Sequence, residues 1–201
     1  MITVRQAGRA DARELGTTLA AAFQEDPVMA WILPDPRRRA AGLPHFFTAL
    51  ARHVFAPLGA CELATDPDAA GAGATIWGPP GHWHGTPATD LRTLPGIVRA
   101  FGRRTLVGKQ FGDLLAEHHP REPHWYLSMI GTTPEARGAG FGQALLRSRL
   151  DRVDAEGAAA YLESSNPDNI GYYERFGFAV TGELRVPGGP PVWPMWRAAT
   201  A

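Results

Sequence analysis

The chain of 201 residues has one cysteine, one lysine and no net formal charge, its 20 basic residues matching 20 acidic ones. A lone Cys61 cannot close an intrachain disulfide and fits a reducing compartment. A balanced charge lacks the basic footprint of nucleic-acid binders, so no nucleic-acid partner is expected. No apolar run nears the ~18 residues of a membrane span, and the first 16 residues contain no apolar core of secretory type. These absences predict a cytoplasmic protein with no membrane partner. Lys109 stands alone beside many arginines, a bias of composition rather than of chemistry. Turn formers are plentiful, with 23 glycines and 18 prolines, yet short of the disordered range of roughly 25–30%. With 44% hydrophobic residues, a chain of this length buries a core without disulfides or metal, and one domain over 1–201 is the expectation.

Residues 2–6 alternate apolar and polar like a half-buried strand. Asp11 is placed to cap a helix running to Gln24, which residues 25–31 break, because Pro27 holds Asp26 away from helical geometry. A second helix is expected over 44–56, with Asp35-Pro-Arg-Arg-Arg39 supplying its first turn. Residues 61–65 and 72–77 read as two strands joined around Asp66-Pro-Asp68. Gly78-Pro-Pro-Gly-His-Trp-His-Gly85 is loop by its glycine and proline density. Residues 91–117 read as helix, interrupted at Pro95 and at glycines.

The last third is the most legible. It holds a buried strand over 125–130, a helix over 141–155 with Leu145, Leu146, Leu150 and Val153 inward, and a strand over 159–164. A short helix over 168–176 follows, then a hairpin of 178–186 with 192–197 around Pro187-Gly-Gly-Pro-Pro191. Strand, helix and strand in that order predict a right-handed parallel crossover in an α/β protein with a mixed sheet.

Arg137-Gly-Ala-Gly-Phe-Gly142 lies between the buried strand and the helix. Glycines let several backbone N–H groups converge, and a helix N-terminus adds the positive end of its dipole, so the loop suits a phosphate or pyrophosphate. The competing reading is a helix-capping turn. A Walker loop is excluded, because Gln143 and Ala144 follow Gly142 in place of Lys-Ser/Thr. A G-x-G-x-x-G dinucleotide fingerprint fails in both registers, at Gln143 and at Leu145.

The loop resembles motif A of the GNAT superfamily of N-acetyltransferases. Asn166-Pro-Asp-Asn-Ile-Gly-Tyr-Tyr-Glu-Arg-Phe-Gly-Phe178 is similar to its motif B. Within the superfamily the likeness is to the puromycin N-acetyltransferase group. It is carried by His119-Pro-Arg-Glu-Pro123, Trp125-Tyr-Leu-Ser128, Leu162-Glu-Ser-Ser165, Val186-Pro-Gly-Gly-Pro190 and Trp193. It covers roughly the last 80 residues well, and the first half only through Ala22-Phe23, Asp26-Pro27, Trp31 and Pro34-Asp35.

The resemblance implies a GNAT-like fold: a central mixed, mostly antiparallel twisted sheet, flanking helices and one parallel crossover. It implies a substrate side in 1–118 and an acetyl-CoA side in 119–201. Acetyl-CoA would be held by Arg137, Gly138, Ala139, Gly140, Phe141, Gly142 and Asn169, with the backbone of Met129, Ile130 and Gly131 along the pantetheine arm. Ala139 departs from the lysine or arginine that many relatives carry there. Tyr173 would be the general acid that protonates the CoA thiolate; its competing reading is a packed helix residue.

Glu163 shares a strand face with Tyr161 and is the candidate base, since a partly buried carboxylate titrates nearer neutrality. Glu25 and Asp26 could hold a cationic amine, or be simple turn chemistry. Phe23, Asp26, Trp31, Trp83 and Trp125 are the candidate substrate contacts, with Trp83 a possible lid. His82 and His84 lack a third ligand nearby, so no metal is expected. The function expected is direct acetyl transfer from acetyl-CoA to the primary amine of a small molecule, by a monomer or homodimer. The alternatives are a non-catalytic acyl-CoA sensor and a protein or peptide N-acetyltransferase.

Overall fold

The computed structural model describes residues 1–68 and 72–200. In chain order it forms β1 (Thr3–Ala7), α1 (Ala12–Ala22), α2 (Pro27–Ile32), α3 (Pro36–Leu50), β2 (Cys61–Thr65) and β3 (Ala72–Gly78). Next come α4 (Pro87–Phe101), α5 (Thr105–His118), β4 (His124–Thr132), α6 (Phe141–Ala155), β5 (Ala159–Ser164) and α7 (Ile170–Glu174). β6 (Ala179–Val180), β7 (Leu184–Arg185) and β8 (Pro191–Arg197) close the described chain.

The strands lie in the order β1-β2-β3-β4-β5-β8-β6, with β7 also on β8. β4 and β5 run parallel, and all other described pairs are antiparallel. α6 is the crossover between the parallel pair, as the order of elements requires. The sheet is mixed and flanked by helices, as expected.

The two faces of the sheet follow the period-2 alternation of its strands. Cys61, Leu63, Ala74 and Ile76 pack with Leu15, Leu19 and Phe47 of α1 and α3. Trp77, Trp125, Leu127 and Leu162 pack on the opposite face with Leu146, Leu150 and Val153 of α6. Each such aliphatic side chain contributes ~1.5–3 kcal/mol by leaving water. The α1–α3 contact requires Gly16, where an added Cβ would stand 2.7 Å from the Thr48 amide nitrogen.

Several boundaries differ from the sequence expectation, each for a local reason. Asp11 does not cap α1 through its side chain; its Oδ2 accepts from the Gly8 amide at 2.8 Å and closes a preceding 3-10 turn over Arg9–Asp11. Residues 25–31 are only partly a break, because Pro27 occupies N1 of α2 with Asp26 as its N-cap. α3 starts at Pro36, not at 44, since Asp35 accepts from the Arg37 and Arg38 amides and Pro44 is carried inside the helix. The break in 91–117 falls at a glycine, Gly102 (φ 51°), as expected, whereas Pro95 is carried inside α4 without interrupting it. Residues 178–186 form two short strands, β6 and β7, not one continuous strand.

Candidate active site

β4 pairs with β3 along most of its length, but with β5 only from His124↔Ala159 to Leu127↔Leu162. Past that point Glu163 and Ser164 turn to β8 while β4 stays with β3. The parallel pair therefore splays, and a cavity of about 680 Å³ fills the gap between residues 128–132 and 163–166. Ser128 sits at the point of divergence. It is the extra residue of a β-bulge, because Trp77 opposes Leu127 whereas Ile76 opposes Met129.

The bulge switches which side chains face which layer. Trp125 and Leu127 point toward α6, whereas Met129, an odd-numbered residue beyond the bulge, packs with the α1 and α3 core. Gly131 lies against the end of α1, where an added Cβ would meet the Ala22 Cβ at 2.5 Å. Backbone from Ser128 to Thr132 is thus left facing the cavity without a β5 partner.

At the mouth, a 3-10 turn over Pro134–Ala136 leads into the glycine loop. Gly138 and Gly140 adopt φ of 76° and 93°, the left-handed region that a side chain resists. Gly140 is the N-cap of α6 and supplies no capping side chain, so first-turn N–H groups remain for a ligand. Arg137, Gly138, Gly140, Phe141 and Gly142 line the cavity, and Ala139 does not. Phe141 offers only backbone, its ring being buried with Ala64, Ala136 and Leu145. Asn169 and Tyr173 line the opposite wall from the start of α7.

Glu163 is the most perturbed carboxylate of the cavity. Its side chain is 5% exposed, and burial pushes the carboxyl up to about 7 against the hydroxyls of Tyr126 and Tyr161. Oε2 accepts from the Tyr126 hydroxyl at 2.8 Å. Oε1 has no hydrogen-bond partner, and His119 Nδ1 stands 4.0 Å from it. Asp26 accepts from the Ser165 hydroxyl and from the Met29 amide at 2.9 Å, so one carboxylate caps α2 and faces the cavity. Burial raises Asp26 as well, against those hydrogen bonds. Tyr173 is also buried, which pushes its phenol above the ordinary value.

Phe23 joins Asp26 in the cavity wall, but the three tryptophans do not. Trp31 packs against Gly189. Trp125 faces α6 by strand parity, donates to Glu156 Oε2 at 2.7 Å and lies under the Arg149 guanidinium. Trp83 stacks on His119, with ring centroids 3.9 Å apart, one layer behind Glu163. The apolar lining comes instead from Met29, Phe111, Leu115 and Val192, which carry no motif. Outside the mouth, Arg147 and Arg175 flank Tyr172 in a smaller pocket shared with Gln143. Spacing from the loop along α6 was the available signal for Arg147, four residues after Gln143.

The family model for the Acetyltransferase (GNAT) family matches residues 97–178. An uncharacterized N-acetyltransferase of Schizosaccharomyces pombe is 30% identical over 119 residues, 53% of this chain and 47% of that protein. A mycothiol acetyltransferase of Streptomyces avermitilis is 31% identical over 80 residues, 36% of this chain and 26% of its own. The chain thus spans about half or less of the length of these curated relatives. A crystal structure of histone acetyltransferase HPA2 and related acetyltransferase from Corynebacterium glutamicum is 28% identical. It covers 100% of this chain and 97% of its own, with a TM-score of 0.75. A polyamine N-acetyltransferase of Drosophila melanogaster, 15% identical, shares the fold over 98% of this chain and 100% of its own at a TM-score of 0.60. The splayed parallel strands, the loop that opens α6, the family match over residues 97–178 and a structure alike over the whole fold together support a GNAT superfamily acetyltransferase.

Proposed function

We propose that the protein transfers the acetyl group of acetyl-CoA directly to the primary amine of a small molecule, within a ternary complex. The observation that carries this reading is the splay of β4 from β5, with a buried, uncharge-paired Glu163 at its base and a glycine loop at its mouth. An acyl-pantetheine arm fits the unpaired backbone of Met129, Ile130 and Gly131 as an added strand would, and the pyrophosphate fits the N–H groups at Gly138, Gly140 and Gly142. Asn169 faces the same stretch from α7. An N–H of the same strand edge is the natural donor to the developing oxyanion.

An alkylammonium ion must lose a proton before its nitrogen attacks. Glu163, half ionised near pH 7, is matched to that task. Collapse of the tetrahedral intermediate breaks the C–S bond and leaves a thiolate. Tyr173, held un-ionised by burial, donates its phenolic proton to the sulfur. A phenol is a weaker acid than an ordinary thiol, and burial raises both, so this proton transfer runs uphill. Asp26 supplies a second negative group for a cationic acceptor, and Phe23, Met29, Phe111 and Leu115 supply an apolar wall. Residues 119–200 then carry the donor, and the helices before them carry most of the acceptor wall.

A second reading, a peptide or protein amine as acceptor, is favoured by the likeness to the Corynebacterium structure. One experiment tests both. Thermal unfolding is followed with acetyl-CoA, CoA and NADH, and thiol release is then measured with small amines, a free N-terminal peptide and a lysine peptide. Acetyl-CoA and CoA at 100 times Kd stabilise by about 2.7 kcal/mol, and NADH leaves the midpoint unmoved. Absence of any shift at millimolar acetyl-CoA removes the donor assignment. Turnover of peptides alone removes the small-molecule acceptor.

A further inference from the structure

Behind Glu163 lies a pair of buried histidines that the transfer chemistry above does not use. His119 and His124 are 8% and 4% exposed. Their Nε2 atoms are 3.0 Å apart, and His124 Nδ1 lies 2.6 Å from the Glu122 carbonyl oxygen. A carbonyl oxygen only accepts, so His124 Nδ1 carries the proton of that bond. Burial lowers both histidines and keeps both rings neutral, which leaves His124 Nε2 a bare acceptor. The 3.0 Å contact then requires the proton of His119 on Nε2, and His119 Nδ1 is left as a lone pair. That lone pair is the imidazole atom 4.0 Å from Glu163 Oε1, the carboxylate oxygen with no partner of its own.

We propose that His119 and His124 are positioning residues for Glu163, a tautomer-locked pair that turns a lone pair rather than a proton toward its free oxygen. Facing a lone pair, the carboxylate is disfavoured and the carboxylic acid is favoured, because only the acid has a proton to turn toward His119. Glu163 thereby keeps its affinity for the proton it takes from the acceptor amine. The inference rests on reading Glu163 as the base of the proposed acetyl transfer.

The surroundings hold the pair in place. Trp83 stacks on His119 with the planes 17° apart, and Tyr126 and Tyr161 meet its ring edge-on. Trp196 meets His124 from β8. The ionisable groups facing Glu163 are Tyr126 from β4, Tyr161 from its own strand and His119. Those facing His119 are His84 from the loop before α4, His124 from β4 and Glu163 from β5, and Glu122 faces His124. Among the described residues no arginine or lysine stands in this set, so the tautomers set the local field.

The test reads protons rather than turnover alone. Long-range nitrogen NMR on the wild-type protein is expected to find His124 protonated at Nδ1 and His119 at Nε2. The Glu163 carboxyl is then titrated by carbon NMR in wild type, His119→Gln and His124→Phe. Glutamine donates an amide proton toward Glu163. Phenylalanine frees His119 to move its proton to Nδ1, although it never touches Glu163. Both variants are expected to raise the acid dissociation constant of Glu163 roughly tenfold, and the acidic limb of kcat/KM should move down with it. A wild-type His119 proton on Nδ1, or a Glu163 midpoint unmoved in both variants, overturns the proposal. Full activity in Glu163→Gln would instead overturn the base assignment, and the titration would still decide what the histidines do.

Discussion

Glu62 on β2 and Glu163 on β5 are buried glutamates of one sheet, 5% exposed at the side chain in each case, on opposite faces. Burial raises both carboxyls. Their partners separate them. Glu62 has a cation, the buried Arg149 guanidinium at 3.1 Å, with the Ser148 and Thr75 hydroxyls 3.4 Å away. Glu163 has a tyrosine hydroxyl and the bare nitrogen of a histidine. A carboxylate neutralised by arginine is committed to the fold, whereas one left without a cation, beside a cavity, can still exchange a proton.

The largest expected contrast is in activity. Glu163→Gln keeps the shape and removes the proposed base, so kcat/KM for an amine should fall about 10²- to 10⁴-fold at pH 7.5, with the fold intact by circular dichroism. Wild-type rates in that variant would move the base elsewhere in the cavity, Asp26 being next.

Stability should respond the other way. Glu62→Ala leaves Arg149 buried without its counter-ion and should cost roughly 3–5 kcal/mol in urea unfolding. The double change Glu62→Met with Arg149→Leu should recover most of that loss. A cost below about 1 kcal/mol for Glu62→Ala would place the two glutamates in one class after all.

The contrast bears on how the sequence could be read. Helix α6 and strand β5 fall on their expected limits because their apolar spacing answers only to the core. The glycine loop was visible because left-handed backbone selects glycine, and Gly138 and Gly140 use it. Glu163 stood out by its place beside Tyr161 and motif B. Three tryptophans misled: the β4 bulge decides which way Trp125 points, and no sequence pattern announces a bulge at Ser128. His119 carries no pattern that names its partner, since His124 lies five residues on and is brought beside it by the irregular segment 120–123. Arg149 gave no sign of its burial, since its partner lies 87 positions away on β2.

A third difference is carried by pH. Folding raises Glu163 from 4.5 to about 7, so its folded state holds a proton that the unfolded chain has released. Stability from this group is complete below about pH 4.5 and is lost as pH rises toward 7 and above, by about 3 kcal/mol in total. Subtracting the unfolding free energy of Glu163→Gln from that of wild type at pH 5, 6, 7 and 8 isolates it. A flat difference would mean that Glu163 titrates alike in the folded and the unfolded chain, and that its burial does not hold a proton.

The smallest effect concerns the mouth of the cavity, where on the proposed reading charge and backbone would share the donor phosphates. Arg137 is exposed and acts through water, so Arg137→Ala should raise KM for acetyl-CoA only about two- to fivefold, with kcat unchanged. That ratio should shrink further at 0.5 M salt, because screening weakens an exposed cation and leaves N–H donors untouched. Gly142→Ala would act through shape instead, its Cβ meeting the Tyr172 hydroxyl at 3.0 Å, and its effect should persist at high salt. If Arg137→Ala abolished binding, or its loss survived high salt, the charge would outweigh the backbone cradle. The loop would then be a cation site decorated with glycines, not an N–H site with a cation beside it.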